Sequence, residues 1–196
     1  GQKVKVMAAS EGFKPMSHHA DGRGFTHFFK DTYFLKRGDT NQKQGVAPQG
    51  FLQVLMRSPE KEKHWQAAPP PGARTSHRRR ALAAWITDTQ HGAGHQLARV
   101  IVNRLWQHHF GRGIVETPND FGVQGLPPTH PKLLDWLALK LIENQWRLKP
   151  MHKLIMTTAA YMQGSSHRAD AGKTDPQNYL LWRYNPRRLE AEVIRD

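Results

Sequence analysis

The stretch Ala98–Gly113, ARVIVNRLWQHHFGRG, decides the fold of this chain. On a helix its apolar residues would cover most of the circumference, which predicts a buried helix that ends at Gly111. Arg99, Asn103 and Arg104 nevertheless stand inside the apolar run. A buried guanidinium or amide must find hydrogen-bond partners. The sequence therefore predicts a polar contact inside the core.

The end of the chain offers acidic partners for that contact. Arg99 and Asn103 are four residues apart and share one face of the predicted helix. Glu192 lies four residues before another acidic side chain in the last predicted helix. We expect these two faces to meet, with Arg99 or Arg104 paired to Glu190 or Glu192. The predicted polar core comprises Arg99, Asn103, Arg104, Glu190 and Glu192.

Helix-start signals recur along the rest of the chain. Thr75 or Ser76 can cap a helix that carries Leu82, Trp85 and Ile86 on one side.

Three further helices are each predicted to begin at a proline, a residue that suits the first helical turn. These prolines are Pro131, Pro150 and Pro186. The fold class we predict is mainly α, a cluster of four to five helices with a small N-terminal β and loop region.

Composition changes along the chain and suggests its organisation. Residues 1–68 read as strands and loops, and residues 69–76 as a proline-rich linker. Residues 77–196 form the predicted α-helical domain. No run approaches 18 apolar residues, so we expect no membrane span. Since the chain starts without methionine and stops within a helical pattern, we interpret it as a piece of a larger protein.

The charge of the chain favours anionic partners. The formal net charge is +13, and residues 1–80 carry 15 basic against 6 acidic side chains. A positive field of this kind suits nucleic acid, acidic polysaccharide, anionic lipid or an acidic protein. An ordinary basic surface without a dedicated ligand explains the charge equally well. The candidate anion-binding residues are Arg78, Arg79, Arg80 and Arg187.

Catalytic and metal-binding patterns are weak. The chain has no cysteine, and its 12 histidines lack the spacing of a known metal motif. We therefore assign no metal site and no cofactor. Asp120 and His130, with Arg112, are weak catalytic candidates, because they lie in turns bounded by glycine and proline. The commoner role of Asp120 in such a turn is to accept backbone N–H bonds.

Several motifs resemble one known family. They are the run from Ala98 to Val115, the turn Thr117–Gly122, Pro127–Pro131, Leu133–Ala138, Ala160-Tyr161 and the terminal Arg187–Asp196. Together they resemble the planctomycete-type C-terminal domain of unknown function numbered fifteen fifty-three. The resemblance covers residues 33–196, including the segment that precedes the domain. In that family the domain continues beyond the last residue of this chain.

The resemblance implies a setting but no activity. Domains of this type end large exported proteins that also carry a cytochrome-c-type domain. It therefore implies an exported or periplasmic location, and any haem would belong to another domain of the parent protein. Our leading hypothesis is a non-catalytic structural or interaction domain that binds other domains of the parent or an acidic protein. The alternatives are a polyanion-binding module for nucleic acid or acidic polysaccharide, and a glycan-active hydrolase with a shared site.

Overall fold

The computed structural model describes residues 32–66, 68–71, 76–186, 188–189 and 191–195. In these residues the chain is mainly α-helical with one two-stranded sheet, which confirms the predicted fold class. The strands are β1 (Tyr33–Leu35) and β2 (Lys43–Val46). The helices are α1 (Glu62–Trp65), α2 (Arg78–Thr87), α3 (Gly94–Phe110), α4 (Pro131–Glu143), α5 (Leu148–Met156), α6 (Ala159–Met162), α7 (Ala169–Thr174) and α8 (Ala191–Arg195). None of the helices described is both long and apolar enough to cross a membrane.

The chain divides into two compact units, residues 1–93 and residues 94–196. This division differs from the boundary that we placed at the proline-rich residues 69–76. The reason is that α2 packs within the first unit. The ring of Trp85 stacks on Phe51 with centroids 5.4 Å apart.

The first unit contains a hairpin and a small aromatic core. Strands β1 and β2 pair antiparallel, with Tyr33 opposite Val46. Phe51 also meets Trp65 edge to face, at 5.7 Å between centroids. The buried residues of this core are Met56, Trp65, Trp85 and Ala93.

Asp88 ties the end of α2 to this core. Its Oδ1 accepts the backbone N–H groups of Gln90 and His91, at 2.7 and 3.0 Å. Its Oδ2 accepts the indole N–H of Trp65 at 3.0 Å. Burial opposes ionisation of this carboxyl, but the hydrogen bonds from His91, Gln90 and Trp65 outweigh burial and hold the pKa of Asp88 below its ordinary value.

The second unit has its core where α3, α4 and α5 meet. Helix α3 buries Ala98, Val102 and Leu105, which are spaced for one helical face. The fully buried side chains of α4 and α5 include Leu134, Leu141, Met151 and Ile155. This core is the scaffold on which the candidate site is built.

Two predicted helix starts differ from the observed ones. Helix α5 begins at Leu148, and Pro150 fits its first turn because the N–H groups there need no partner within the helix. The helix stops at Met156, and Thr158 caps α6 by accepting the N–H of Tyr161 at 3.2 Å. The last helix in the described residues is Ala191–Arg195, five residues later than predicted from Pro186.

Acid should weaken the contact between Asp88 and Trp65. Because the pKa of Asp88 is lowered by folding, its contribution to stability is present above its unfolded value, near 3.8, and is lost as pH falls through the lower folded value. We expect the Trp65 indole N–H to be protected from hydrogen exchange at neutral pH and to lose protection only as the pH falls below 3.8, the ordinary pKa of an aspartate. Asp88→Asn should reduce protection at neutral pH and flatten the acid dependence, as read by NMR. Asp39→Asn, in the hairpin turn, is the control, and equal protection in wild type and Asp88→Asn would contradict the assignment.

Candidate functional site

The loop that follows α3 is held by a single buried amide. Asn103 is fully buried in α3, and its Nδ2 donates to the carbonyl oxygen of Val115 at 2.9 Å. Its Oδ1 accepts the N–H of the same residue at 2.8 Å. Both backbone groups of one loop residue are therefore satisfied by one side chain. The loop returns over the helix it has just left, because Gly111 with φ +82° ends α3 and reverses the chain.

Gly113 makes this close approach sterically feasible. A Cβ atom there would lie 2.5 Å from the carbonyl oxygen of Val115 and within 3 Å of the Asn103 amide. Any larger residue would push the loop away from the amide. The residue pair Asn103 and Gly113 therefore acts as one structural unit.

The rest of the loop, up to Thr129, is fastened by its own polar groups. The Oγ1 of Thr117 donates to the carbonyl oxygen of Asp120 at 2.8 Å and accepts the N–H of Leu126 at 3.0 Å. The N–H of Thr129 bonds to the carbonyl oxygen of Ile114 at 2.9 Å and closes the excursion. A Cβ at Gly125 would lie 2.1 Å from the Asp120 carbonyl oxygen. The loop is thus fixed along its length.

This fixed loop presents apolar side chains to solvent. Val123 is 100% exposed and Leu126 is 51% exposed. Beside them lies a cleft of about 320 Å³, whose wall includes Arg99, Phe121 and Pro128. We call residues 113–130 with this cleft the loop surface. An ordered loop that exposes large apolar side chains is typical of a binding surface.

The arginines of α3 find different partners from those we predicted. Nη1 of Arg99 pairs with the carboxylate of Asp135 in α4 at 3.2 Å, while its Nε is buried without an acceptor. Nη2 of the exposed Arg104 donates to Oδ1 of Asn119 at 2.7 Å. The predicted pairing with Glu192 is therefore wrong, since the nearby α4 and the loop supply the partners. Glu190 lies outside the described residues.

Only two of the three catalytic candidates come together. Arg112 and His130 line one small cavity with Trp106 and Asn178. Asp120 does not line this cavity; its Oδ1 accepts the N–H of Gly122 at 2.8 Å, as in an ordinary turn.

Arg112 is fully engaged with its neighbours. Its Nε pairs with Glu116 at 3.2 Å, and its Nη1 donates to the carbonyl oxygen of Gln177 at 3.3 Å. Its guanidinium carbon lies 4.6 Å from the centroid of Tyr179. Arg112 therefore joins the loop after α3 to the segment around residues 175–185.

That segment contains two buried polar residues that sequence reasoning missed. The carboxylate of Asp175 accepts the N–H groups of Tyr179 and Leu180, at 3.0 and 2.8 Å. Asn178, with φ +56°, donates to the carbonyl oxygen of Arg183 at 2.8 Å. The sequence around Asp175 gives no sign that its carboxylate binds the backbone N–H groups of Tyr179 and Leu180.

The other predicted residues lie apart from this site. Arg78 of the first unit donates to Oγ1 of Thr32 at 3.1 Å, while Arg79 and Arg80 are exposed. Arg187 lies outside the described residues. In the described part of the chain no three histidine or acidic side chains are placed to hold a metal ion. One close histidine pair does occur, with Nε2 of His109 2.9 Å from Nδ1 of His152.

Removing the Asn103 amide should destabilise the second unit. Asn103→Ala leaves the N–H and carbonyl of Val115 buried without partners, at a cost of about 2–4 kcal/mol. Urea unfolding followed by circular dichroism measures the change. Gln124→Ala, which removes an exposed amide from the same loop, is the control and should change stability by less than about 0.5 kcal/mol. Similar unfolding midpoints for the two variants would contradict the role of Asn103.

Gly113→Ala should have a comparable effect for a steric reason. The added methyl group would overlap the Val115 carbonyl and separate it from the amide. Gly164→Ala is a matched control, because a Cβ there meets no atom within 4 Å. Thermal unfolding of both variants tests this, and a Gly113→Ala protein as stable as Gly164→Ala would refute the close approach.

A family model described as PSD1, protein of unknown function (DUF1553), matches residues 78–196. This match covers more than half of the chain. No curated protein and no solved structure matches the chain.

Proposed function

The chain belongs to the PSD1 family of proteins of unknown function, and from that premise we propose that residues 94–196 are a non-catalytic interaction domain. The loop surface is its docking site. The occupant we propose is a segment of a partner protein that carries an apolar side chain next to a carboxylate. The observation that carries this proposal is the full exposure of Val123 on a loop whose backbone is fixed by hydrogen bonds.

Rigidity supports a binding role for this loop. A flexible loop loses conformational entropy when a partner orders it, which weakens binding, whereas a fixed loop loses little. The bonds from Asn103, Thr117 and Thr129 hold the loop in one conformation before any partner arrives. Burial of a fully exposed valine or leucine side chain contributes about 1.5–3 kcal/mol. Val123 and Leu126 together can therefore anchor a transient protein contact.

Charge supports the choice of an acidic partner. The guanidinium of Arg99 lines the cleft of the loop surface, and its side chain is 33% exposed. The chain as a whole carries a net charge of +13. A carboxylate beside the apolar anchor would meet this positive field during approach and binding.

The hydrolase alternative has less support from the geometry. Asp120 is separated from the cavity that Arg112 and His130 line. Asp175 already accepts two backbone N–H groups. Most glycoside hydrolases use two carboxylates that face one substrate cleft together.

The resemblance of the motifs supports a wider setting for the proposal. We place the parent protein in the exported or periplasmic space, with any haem on a cytochrome-type domain elsewhere in that protein. In this setting the partner segment belongs to another domain of the parent or to an acidic protein near it.

Selection from short random peptides displayed on phage tests the docking site. We expect the chain to select peptides that share an apolar residue next to Asp or Glu. Val123→Ser combined with Leu126→Ser should weaken their binding by at least about tenfold. The double variant should unfold at the wild-type temperature, because both side chains are exposed.

The matched control is Met162→Ser, which removes a 68% exposed apolar side chain from α6. This variant should bind the selected peptides as the wild type does. Peptides without a shared acidic and apolar pattern, or equal binding by the double variant, would overturn the proposal.

A further inference from the structure

We propose that the segment from His167 to Arg183 forms a binding site for an acidic polysaccharide. The site consists of an arginine and tryptophan cluster and of the cleft beside it. It is independent of the loop surface and shares no side chain with it.

Two arginines of the cluster lie against one tryptophan ring. The guanidinium carbons of Arg183 and Arg168 are 4.9 and 5.8 Å from the centroid of Trp182. His167 meets the same ring edge to face, at 5.6 Å. The indole N–H of Trp182 donates to the carbonyl oxygen of Asp175 at 2.8 Å, which fixes the ring. Aromatic contact orients a guanidinium and leaves its N–H groups free to bind an anion.

These two cations lack acidic partners. Within the described residues, ion pairs engage Arg99, Arg112 and Lys140, whereas Arg168 and Arg183 have no carboxylate within 4 Å. Arg168 donates instead to the carbonyl oxygen of Trp182 at 3.2 Å. Within the described residues, neither guanidinium of the cluster is therefore neutralised by a direct ion pair.

A cleft of about 290 Å³ lies beside the same ring. Trp182 and Leu180 form its apolar wall, and Asp170 and Thr174 stand at its polar side. The carboxylate of Asp175 also lines the cleft but is engaged by two backbone N–H groups. This volume is at the lower end of the range for small-molecule sites, so it suits one sugar unit of a chain.

The groups present match an acidic sugar more closely than a nucleic acid. A sugar ring offers an apolar face for Trp182 and hydroxyl groups for Asp170 and Thr174. Its carboxylate or sulfate group can bind the two guanidinium groups. A base could stack on Trp182 as well, but the deoxyribose units within a DNA strand carry no free hydroxyl group that could donate to the carboxylate of Asp170. Asp170 therefore favours a sugar with free hydroxyl groups over single-stranded DNA.

Isothermal titration of the whole chain tests the proposal with four probes. Polygalacturonate supplies carboxylates, chondroitin sulfate supplies sulfates, dextran is neutral, and single-stranded poly-dT supplies phosphates. We expect at least one of the two acidic polysaccharides to bind and dextran not to bind. Arg168→Gln combined with Arg183→Gln should weaken this binding by at least about tenfold. The control variant Arg147→Gln removes an exposed arginine elsewhere in the second unit. It should change the affinity for the polysaccharide less than twofold, within about 0.4 kcal/mol.

Asp170→Asn separates the remaining outcomes. It should weaken polysaccharide binding relative to poly-dT binding, because only the polysaccharide has free sugar hydroxyls that donate to the carboxylate, whereas loss of a like charge favours both anionic ligands. Tighter binding of poly-dT than of either polysaccharide, with the same loss in the double arginine variant, would replace the proposal with a nucleic-acid site. Binding of no acidic polysaccharide, or binding that the double arginine variant retains, would overturn it.

Discussion

The second unit depends on the contact between the Asn103 amide and the backbone of Val115. A buried peptide group costs free energy unless both its N–H and its carbonyl are hydrogen-bonded. In a helix or a sheet, neighbouring backbone supplies those bonds. Here the chain leaves α3 and returns over it without forming either structure, and one side chain supplies both bonds. The loop can therefore lie against the core at Ile114 and Val115 while the residues beyond them reach solvent.

This arrangement separates stability from recognition within one loop. The residues that hold the loop, such as Thr117 and Gly125, direct their contacts inward to other loop residues. The residues that face outward, Val123 and Leu126, take no part in those hydrogen bonds through their side chains. Their identity can change without loss of the fold. A family with a common scaffold and different partners would be built in this way.

Periodic patterns predicted the long helices well because packing enforces them. Pro131 and the leucines that follow it at helical spacing give α4 from the sequence alone. The polar contact of α3 was also predictable in kind, since Arg99 and Asn103 stand among buried residues. The residues that make this contact with α3 were not predictable. Spacing shows that two residues share a helix face, but it does not say which distant segment meets that face.

The partners turned out to be near in sequence. Asn103 and Arg104 contact residues 12 and 15 positions away, whereas the glutamates predicted as partners of Arg99 or Arg104 are 86 to 93 positions away. Closing the shorter loop costs less conformational entropy. The turn at Gly111 and the absence of a side chain at Gly113 make the shorter closure sterically feasible. The glycines at positions 111 and 113 were therefore the sequence feature that indicated the short loop closure over α3.

The net charge of the chain does not show where an anion would bind. A net charge of +13 describes the whole chain and does not locate a single anion site. Within the second unit the arginines differ in their surroundings. Arg99 and Arg112 are paired with carboxylates, and Arg112 serves to join two segments. Arg168 and Arg183 instead lie against an indole ring, and neither forms an ion pair within the described residues.

That difference follows from local geometry. A guanidinium paired with a carboxylate has part of its charge offset and fewer N–H groups left, so a second anion gains less from it. A guanidinium held by an aromatic ring keeps its full charge and is also oriented, so an anion that binds it loses less entropy. The tryptophan that orients both arginines is itself held by the backbone of Asp175. The buried carboxylate of Asp175 thus organises the segment on which the exposed cations depend, as Asn103 organises the loop after α3.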